Sequence, residues 1–376
     1  MQTRRDFLKL AATATAAISF PGVVSAQNPA GSDQADITGP HSLRAHTEAQ
    51  GLLVGCAVVP QRLNSEPLYA GAVAEQANIL VAENAMKWAA LRPAPDRFDF
   101  RAADDLLAFG QKHGQKLRGH NLCWHESIPP WFAGTVNKEN ARQFLTQHIQ
   151  TLAGRYAGKI HSWDVVNEAI DIHSGRPDGL RKTPWLDLIG PDYLDLAYCR
   201  ARQADPGALL TYNDYGIETD SSDQRAKREQ IMRLVRGFKA RGVPIDAIGV
   251  QSHLSAADPL PGEGLRSFVR EMRHMDMQVF VTEMDVNESK LQGSTEERDA
   301  AVAKIYGDYA TMMLAESNVT ALLTWGITDR YTWLNGEKWA RPDGSPQRCL
   351  PLDADYRPAP AFFALRDTID NRRTKG

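Results

Sequence analysis

His161-Ser162-Trp163-Asp164-Val165-Val166-Asn167-Glu168 is an apolar, β-branched run that stops abruptly at a carboxylate. Far downstream, Val279-Phe280-Val281-Thr282-Glu283 repeats the pattern. An apolar run of this length predicts a strand buried on both faces, as in a parallel sheet covered by helices. The last side chain of such a strand emerges where the loops begin. Two glutamates at the carboxyl ends of two parallel strands can face each other across one cleft, and two facing carboxylates are the minimum equipment for splitting a glycosidic bond. Either glutamate alone would equally well be a solvated strand terminus, so the other strand ends decide.

From Gly51 onward, short apolar runs alternate with amphipathic stretches and no linker intervenes. Strands are expected at Leu53–Val59, Asn78–Ala82, Lys116–Cys123, His161–Val166, Leu209–Tyr212, Ala247–Gln251, Gln278–Thr282 and Thr320–Trp325. Helices are expected at Arg101–Lys112, Lys138–Arg155, Asp192–Gln203, Ser222–Ala240, Leu265–Met275, Thr295–Ala315 and Ala361–Ile369. Repeated strand–helix alternation with eight strands is the arithmetic of one α/β domain, a single (β/α)8 TIM barrel with its site at the carboxyl ends of the strands. A doubly wound open sheet would also alternate. However, no Gly-rich phosphate turn follows the first strand, and no Gly-x-x-x-x-Gly-Lys-Ser/Thr pattern occurs.

Polar and aromatic residues crowd these strand ends. Glu83-Asn84-Ala85-Met86-Lys87-Trp88 follows the second, and Gly119-His120 through Trp124-His125 closes the third. Tyr212-Asn213-Asp214-Tyr215, Gln251-Ser252-His253, Glu283-Met284-Asp285 and Trp325 follow in turn. In a barrel all of these surround one mouth. Trp88, Trp124, Trp325, Trp333 and Trp339 lie at or just beyond strand ends, where flat apolar faces match the C–H faces of pyranose rings. Trp88, with Trp124 as a second candidate, is expected simply to pack the rim. Lys87, Asn84 and Gln251 read as donors to hydroxyls, and a Lys near two carboxylates stays charged and faces ligand. His120 and His125 are five positions apart and His253 is alone on its strand, which suits hydrogen bonding better than a shared zinc ion. No Gly-x-Ser-x-Gly elbow suggests a serine nucleophile.

Composition excludes other classes. With 376 residues, a net charge of -3 and 43% hydrophobic content, the chain is an ordinary globular protein without a basic stripe for nucleic acid. The four cysteines are too scattered for a disulfide scaffold or a zinc site, and Cys56 and Cys123 read as small core residues. No cofactor, metal or stable membrane association is called for, and a monomer is expected. Residues 1–26 read as a twin-arginine signal, with Arg4-Arg5 before an apolar segment and Val24-Ser25-Ala26 at the cleavage site. Export to the periplasm or exterior is therefore expected. Residues 27–47 read as a flexible Gly-, Pro- and Ser-containing lead-in, and 48–376 as the catalytic domain.

The motifs jointly resemble glycoside hydrolase family 10: Glu83 to Trp88, Gly119 to His125, Trp163 to Glu168, Asn213-Asp214-Tyr215, Gly249 to His253, Thr282 to Asp285, and Thr324-Trp325-Gly326. The resemblance runs from about Gly51 to the last helix. It implies a retaining endo-β-1,4-xylanase on a (β/α)8 barrel, acting on xylan or xylo-oligosaccharides, with Glu168 as acid/base and Glu283 as nucleophile. It also places Lys87, His120, Asn167, Gln251, His253, Trp325 and Trp333 around the sugar next to the cleaved bond. Glu83 and Asn84 fall one sugar further along, and Trp124 and Tyr215 complete the substrate-binding set. Gly216 stands where members commonly carry Asn, so a leaving-side contact is expected to be lost. Ala359-Pro360-Ala361 replaces the usual Lys-Pro-Ala, and residues 335–349 match no familiar pattern. Three other classes are a silent carbohydrate-binding barrel, a β-1,4-glucan hydrolase and a redox protein. The retained glutamates argue against the first, the Glu83-Asn84-Lys87 set against the second, and the lack of any flavin, haem or iron–sulfur signature against the third.

Overall fold

The computed structural model describes residues 36–259 and 261–372. The proposed signal, residues 1–26, and the start of the lead-in lie outside them. Among the described residues nine parallel-paired strands form: β1 (Leu53–Val58), β2 (Ile79–Ala82), β3 (Lys116–Cys123), β4 (Ser162–Asn167), β5 (Leu209–Asp214), β6 (Ala247–Val250), β7 (His253–Ser255), β8 (Gln278–Asn287) and β9 (Val319–Thr324). Consecutive pairing from β1 to β6, then β6 with β8, β8 with β9 and β9 with β1, closes an eight-stranded barrel. This is the (β/α)8 fold. Short β7 lies beyond the end of β6 and pairs with the far half of β8.

The strand composition explains the layering. Ala57, Ile79, Val81, Ala247, Phe280, Ala321 and Leu323 fill the barrel interior. The opposite faces of the strands pack beneath the helices in one continuous core. Gly119 permits this packing at β3, because a Cβ there would lie 2.0 Å from the Trp163 ring. Inside the barrel Arg118 pairs with Asp164, and its Nε donates to Ser162 Oγ at 3.1 Å. Register shifts occur toward the carboxyl ends of β3 and β4 and within β8 on either side of Val281. Such irregularities re-aim side chains where a site is built.

The lead-in expectation needs correction. Gly39–His41 forms a 3-10 turn and Leu43–Ala49 an α-helix, capped where the Ser42 side chain accepts from Ala45 N. Leu43 is buried, and its N–H donates to Gln76 Oε1 at 2.9 Å, so a hydrophobic anchor fixes this segment. The unplaced residues 335–349 also acquire a structure. Glu288 is fully buried and receives both Arg298 and Arg341. Buried Gln347 donates to the carbonyls of Leu334 and Trp339 at 3.0 and 2.6 Å. Asp329 Oδ1 accepts from Cys349 N and Leu350 N at 2.8 and 2.9 Å. The result is a clamped strap beside Trp333. Cys56, Cys123 and Cys349 are buried free thiols, and Cys199 is an exposed one. No helix among the described residues is long and apolar enough to cross a membrane.

Candidate active site

Glu168 follows β4 in the left-handed backbone region, with φ +58°. For a non-glycine residue this is a strained conformation, of order 1–3 kcal/mol. Both flanking peptide groups are held: its N–H donates to Asn213 O at 2.9 Å and its carbonyl accepts from Arg181 Nε at 2.8 Å. The turn lifts the carboxyl group into the mouth, where three donors meet it. Asn167 Nδ2 and Gln251 Nε2 each reach Oε1 at 3.0 Å, and Trp124 Nε1 reaches Oε2 at 3.0 Å.

Glu283 sits within the longer β8 and is also buried. Asn213 Nδ2 donates to its Oε1 at 2.7 Å, and His253 Nε2 lies 3.3 Å from its Oε2. The same Asn213 amide donates to Asn167 Oδ1 at 2.8 Å, so one amide bridge connects the environments of the two glutamates. Asn213 crosses the space left by Gly249: a Cβ there would lie 2.1 Å from Asn213 Oδ1. His253 is itself fixed from behind by Asp285 Oδ1 at 2.9 Å, and Trp333 Nε1 donates to Asp285 Oδ2 at 2.6 Å.

The remaining expected residues ring these two groups. Buried Lys87 donates to Asn84 Oδ1 at 3.0 Å, and Asn84 Nδ2 donates to Glu83 Oε1 at 3.0 Å. The Lys87 ammonium lies 5.0 and 5.7 Å from the ring centres of Trp124 and Trp325. His120 Nδ1 is 2.9 Å from Asp164 Oδ2, and its ring meets Trp325 edge-on at 5.4 Å. Tyr215 is 40% exposed on the rim, where Lys227 lies 4.1 Å from its ring centre and Arg181 donates to its hydroxyl at 3.2 Å.

Two assignments change. Gln251, read as a donor to sugar hydroxyls, gives its amide N–H to Glu168, and Asn213 is the amide beside Glu283. Trp124 does not merely pack the rim, because its N–H holds Glu168. Trp88 does pack: it is buried, stacks on His148 at 3.8 Å and donates to Leu122 O at 2.8 Å. Asn213, Asp285, Asp164 and Arg181 were not singled out as site residues. Asn213 lies one residue before the end of its strand, in register with Asn167 at the end of the neighbouring one, and an Asn so near a strand end was a usable signal.

Residues 42–368 match glycosyl hydrolase family 10. The chain belongs to that family. It is 37% identical to endo-1,4-beta-xylanase B of Paenibacillus barcinonensis, over 76% of this chain and 87% of the relative. It is 33% identical to endo-1,4-beta-xylanase A of Caldicellulosiruptor sp., over 82% of this chain, yet spans only 45% of that longer protein. The crystal structure of xylanase 10B from Thermotoga petrophila, in complex with xylobiose, superimposes with a TM-score of 0.79 at 31% identity. That superposition covers 88% of this chain and 97% of the other.

In this family 10 site the two glutamates are driven apart in acidity. Burial raises the pKa of Glu168, and the negative charges of Asp214 and Glu283 add to it, against the hydrogen bonds from Gln251 and Trp124. Burial pushes Glu283 upward as well, but the His253 hydrogen bond, the charges of His120 and His253 and the Asn213 hydrogen bond outweigh it, leaving the pKa lowered. Burial lowers His253, yet Asp285 and Glu283 hold it well above its ordinary value. Burial also lowers Lys87, with Glu283, Glu83 and Glu168 opposing. One carboxyl group favours the acid and the other the anion, the division acid/base chemistry on a sugar requires.

Proposed function

We propose that this chain is an endo-acting β-1,4-xylanase that works by retaining double displacement. The observation that carries the reading is the opposed acidity of two buried glutamates at one barrel mouth. Glu283 attacks the anomeric carbon while Glu168 passes its proton to the departing glycosidic oxygen, and the C–O bond breaks. Glu168, now a carboxylate, takes a proton from water. That water oxygen attacks the same carbon, displaces Glu283 and restores the original configuration. Lys87, His120, Asn167, Gln251, His253, Trp325 and Trp333 surround the sugar on the glycosyl side. Glu83 and Asn84 bind the next sugar, while Trp124 and Tyr215 flank the bond and its leaving side. The xylobiose held by the Thermotoga petrophila structure supports a xylo-oligosaccharide ligand. The chain works as a monomer outside the cytoplasm after twin-arginine export; replacing Arg4-Arg5 by Lys-Lys should strand activity inside the cell.

The test is product analysis on unsubstituted xylan, branched xylan and soluble β-glucan in parallel, with the anomer formed first read by NMR. Short xylo-oligosaccharides released as the β-anomer are expected. Initial α-anomer, or release from β-glucan alone, would sink the reading. Glu168→Ala supplies the residue assignment. With an activated aryl xyloside it should complete the first step and stall, and azide, which needs no base, should restore turnover as a β-glycosyl azide.

A further inference from the structure

Between β6 and β7 the chain passes through one left-handed residue, Ser252, with φ +64°. Ser252 is fully buried. Each of its two neighbours touches one of the two catalytic glutamates: Gln251 on Glu168, and His253 on Glu283. Val250 faces Val281 and His253 faces Asp285, so three steps along one strand are matched by four along the other. The kink at Ser252 absorbs that mismatch. Through it Gln251 O still accepts from Glu283 N at 2.9 Å, and Ser252 O from Asp285 N at 3.3 Å.

A non-glycine residue does not hold this conformation unaided. The loop after β5 supplies Glu218, buried to 3% exposure. Its Oε1 accepts from Ser252 N at 3.1 Å and its Oε2 from Ile217 N at 2.7 Å. Both carboxylate oxygens are thus engaged by backbone N–H groups, one of them at the kink itself. The Ser252 hydroxyl has a separate anchor, Tyr309 OH at 2.6 Å. Neither hydrogen bond of the Glu218 carboxylate goes to a catalytic glutamate.

We propose that Glu218 is a positioning residue for both catalytic glutamates, its carboxylate fixing the Ser252 kink and so aiming Gln251 at Glu168 and His253 at Glu283. This rests on the xylanase reading, which the parent enzyme's own rate on xylan tests separately. Glu218→Gln keeps the volume but turns an N–H donor toward one of the two backbone N–H groups, so one of the two bonds is lost. The expected result is a kcat at least tenfold lower on xylan, with KM changed less than threefold. Glycine adopts positive φ freely, so Glu218→Gln/Ser252→Gly should regain at least threefold of that kcat. A Glu218→Gln kcat within twofold of the parent, or a double variant slower than the single one, would overturn the proposal. Tyr309→Phe keeps the core filled and removes only the hydroxyl anchor, so it provides a test even if Glu218→Gln does not fold. Its kcat should stay within twofold; a tenfold loss would move the anchor from Glu218 to the hydroxyl pair and overturn the assignment.

Discussion

Trp124 gives Glu168 a single N–H, and that bond has a consequence in pH. Donation to a carboxylate favours its charged form, so it opposes the burial that raises Glu168. Trp124→Phe should therefore move the alkaline limb of the kcat/KM profile upward and leave the acidic limb, set by Glu283, in place. A downward shift would show that the indole N–H does not stabilise the carboxylate. Gly249 is tested differently. Its missing side chain is the space through which Asn213 reaches Glu283, with the oxygen 2.1 Å from where a Cβ would stand. Gly249→Ala should displace the amide and with it the nucleophile. A misplacement near 1 Å can lower the rate on the order of 10²-fold, and circular dichroism should show the fold retained. An alanine variant of unchanged kcat would mean that Asn213 moves without consequence.

Among the elements, the helix Leu43–Ala49 carries a clear prediction, because it belongs to the folded body. It contacts the helices Pro67–Gln76 and Pro360–Asp370, and His46 Nδ1 lies 2.5 Å from Asp370 Oδ1. Leu43→Ala should reduce stability by about 2 kcal/mol, the low end for a buried leucine near a terminus, and leave kcat unchanged. An unaltered denaturation midpoint would return this segment to the lead-in. The barrel strands were legible because short apolar runs set between amphipathic stretches leave little choice of conformation, although β3 (Lys116–Cys123) carries no β-branched residue. Their ends were legible because polar residues collect there. The short helix Pro60–Ser65 and the helix Pro67–Gln76 were not expected, although proline at a first helical position is a start signal. The second has no one-sided pattern: Leu68 is 71% exposed while Val73 is fully buried. Partner choice at the site was the least legible feature. Whether Gln251 reaches Glu168 or Glu283 depends on strand register and on the kink at Ser252, and neither is a property of local sequence.

For the whole protein, the buried histidines shape how stability responds to acid. His148 is fully buried, stacks on Trp88 at 3.8 Å, and neither ring nitrogen finds a hydrogen-bond partner. Burial, aided by the nearby Arg92 cation, holds its pKa well below 6.5. Above pH 6.5 the ring is neutral in folded and unfolded chains alike, and it contributes nothing to the pH dependence. Below 6.5 the unfolded chain takes up a proton that the folded chain refuses. Stability then falls by up to about 1.4 kcal/mol for each pH unit. His125 and His161, both lowered to about 4 chiefly by burial, act in the same sense between 6.5 and 4. Asp329 acts oppositely: burial raises it to about 7, so the folded chain binds its proton first as the pH falls. The slope of the whole protein is the balance of all its shifted groups, Glu168, Glu283 and His253 among them, and only a difference between variants isolates one of them. His148→Phe keeps an aromatic ring against Trp88 and cannot be protonated. Any packing penalty it carries is the same at every pH. Relative to the parent, it should therefore gain up to about 2 kcal/mol between pH 7.5 and pH 5.0, the 1.5 units below 6.5 multiplied by the linkage slope. Urea unfolding of both proteins at the two pH values measures this gain, and a gap that stays constant would mean that His148 is not held neutral in the native barrel.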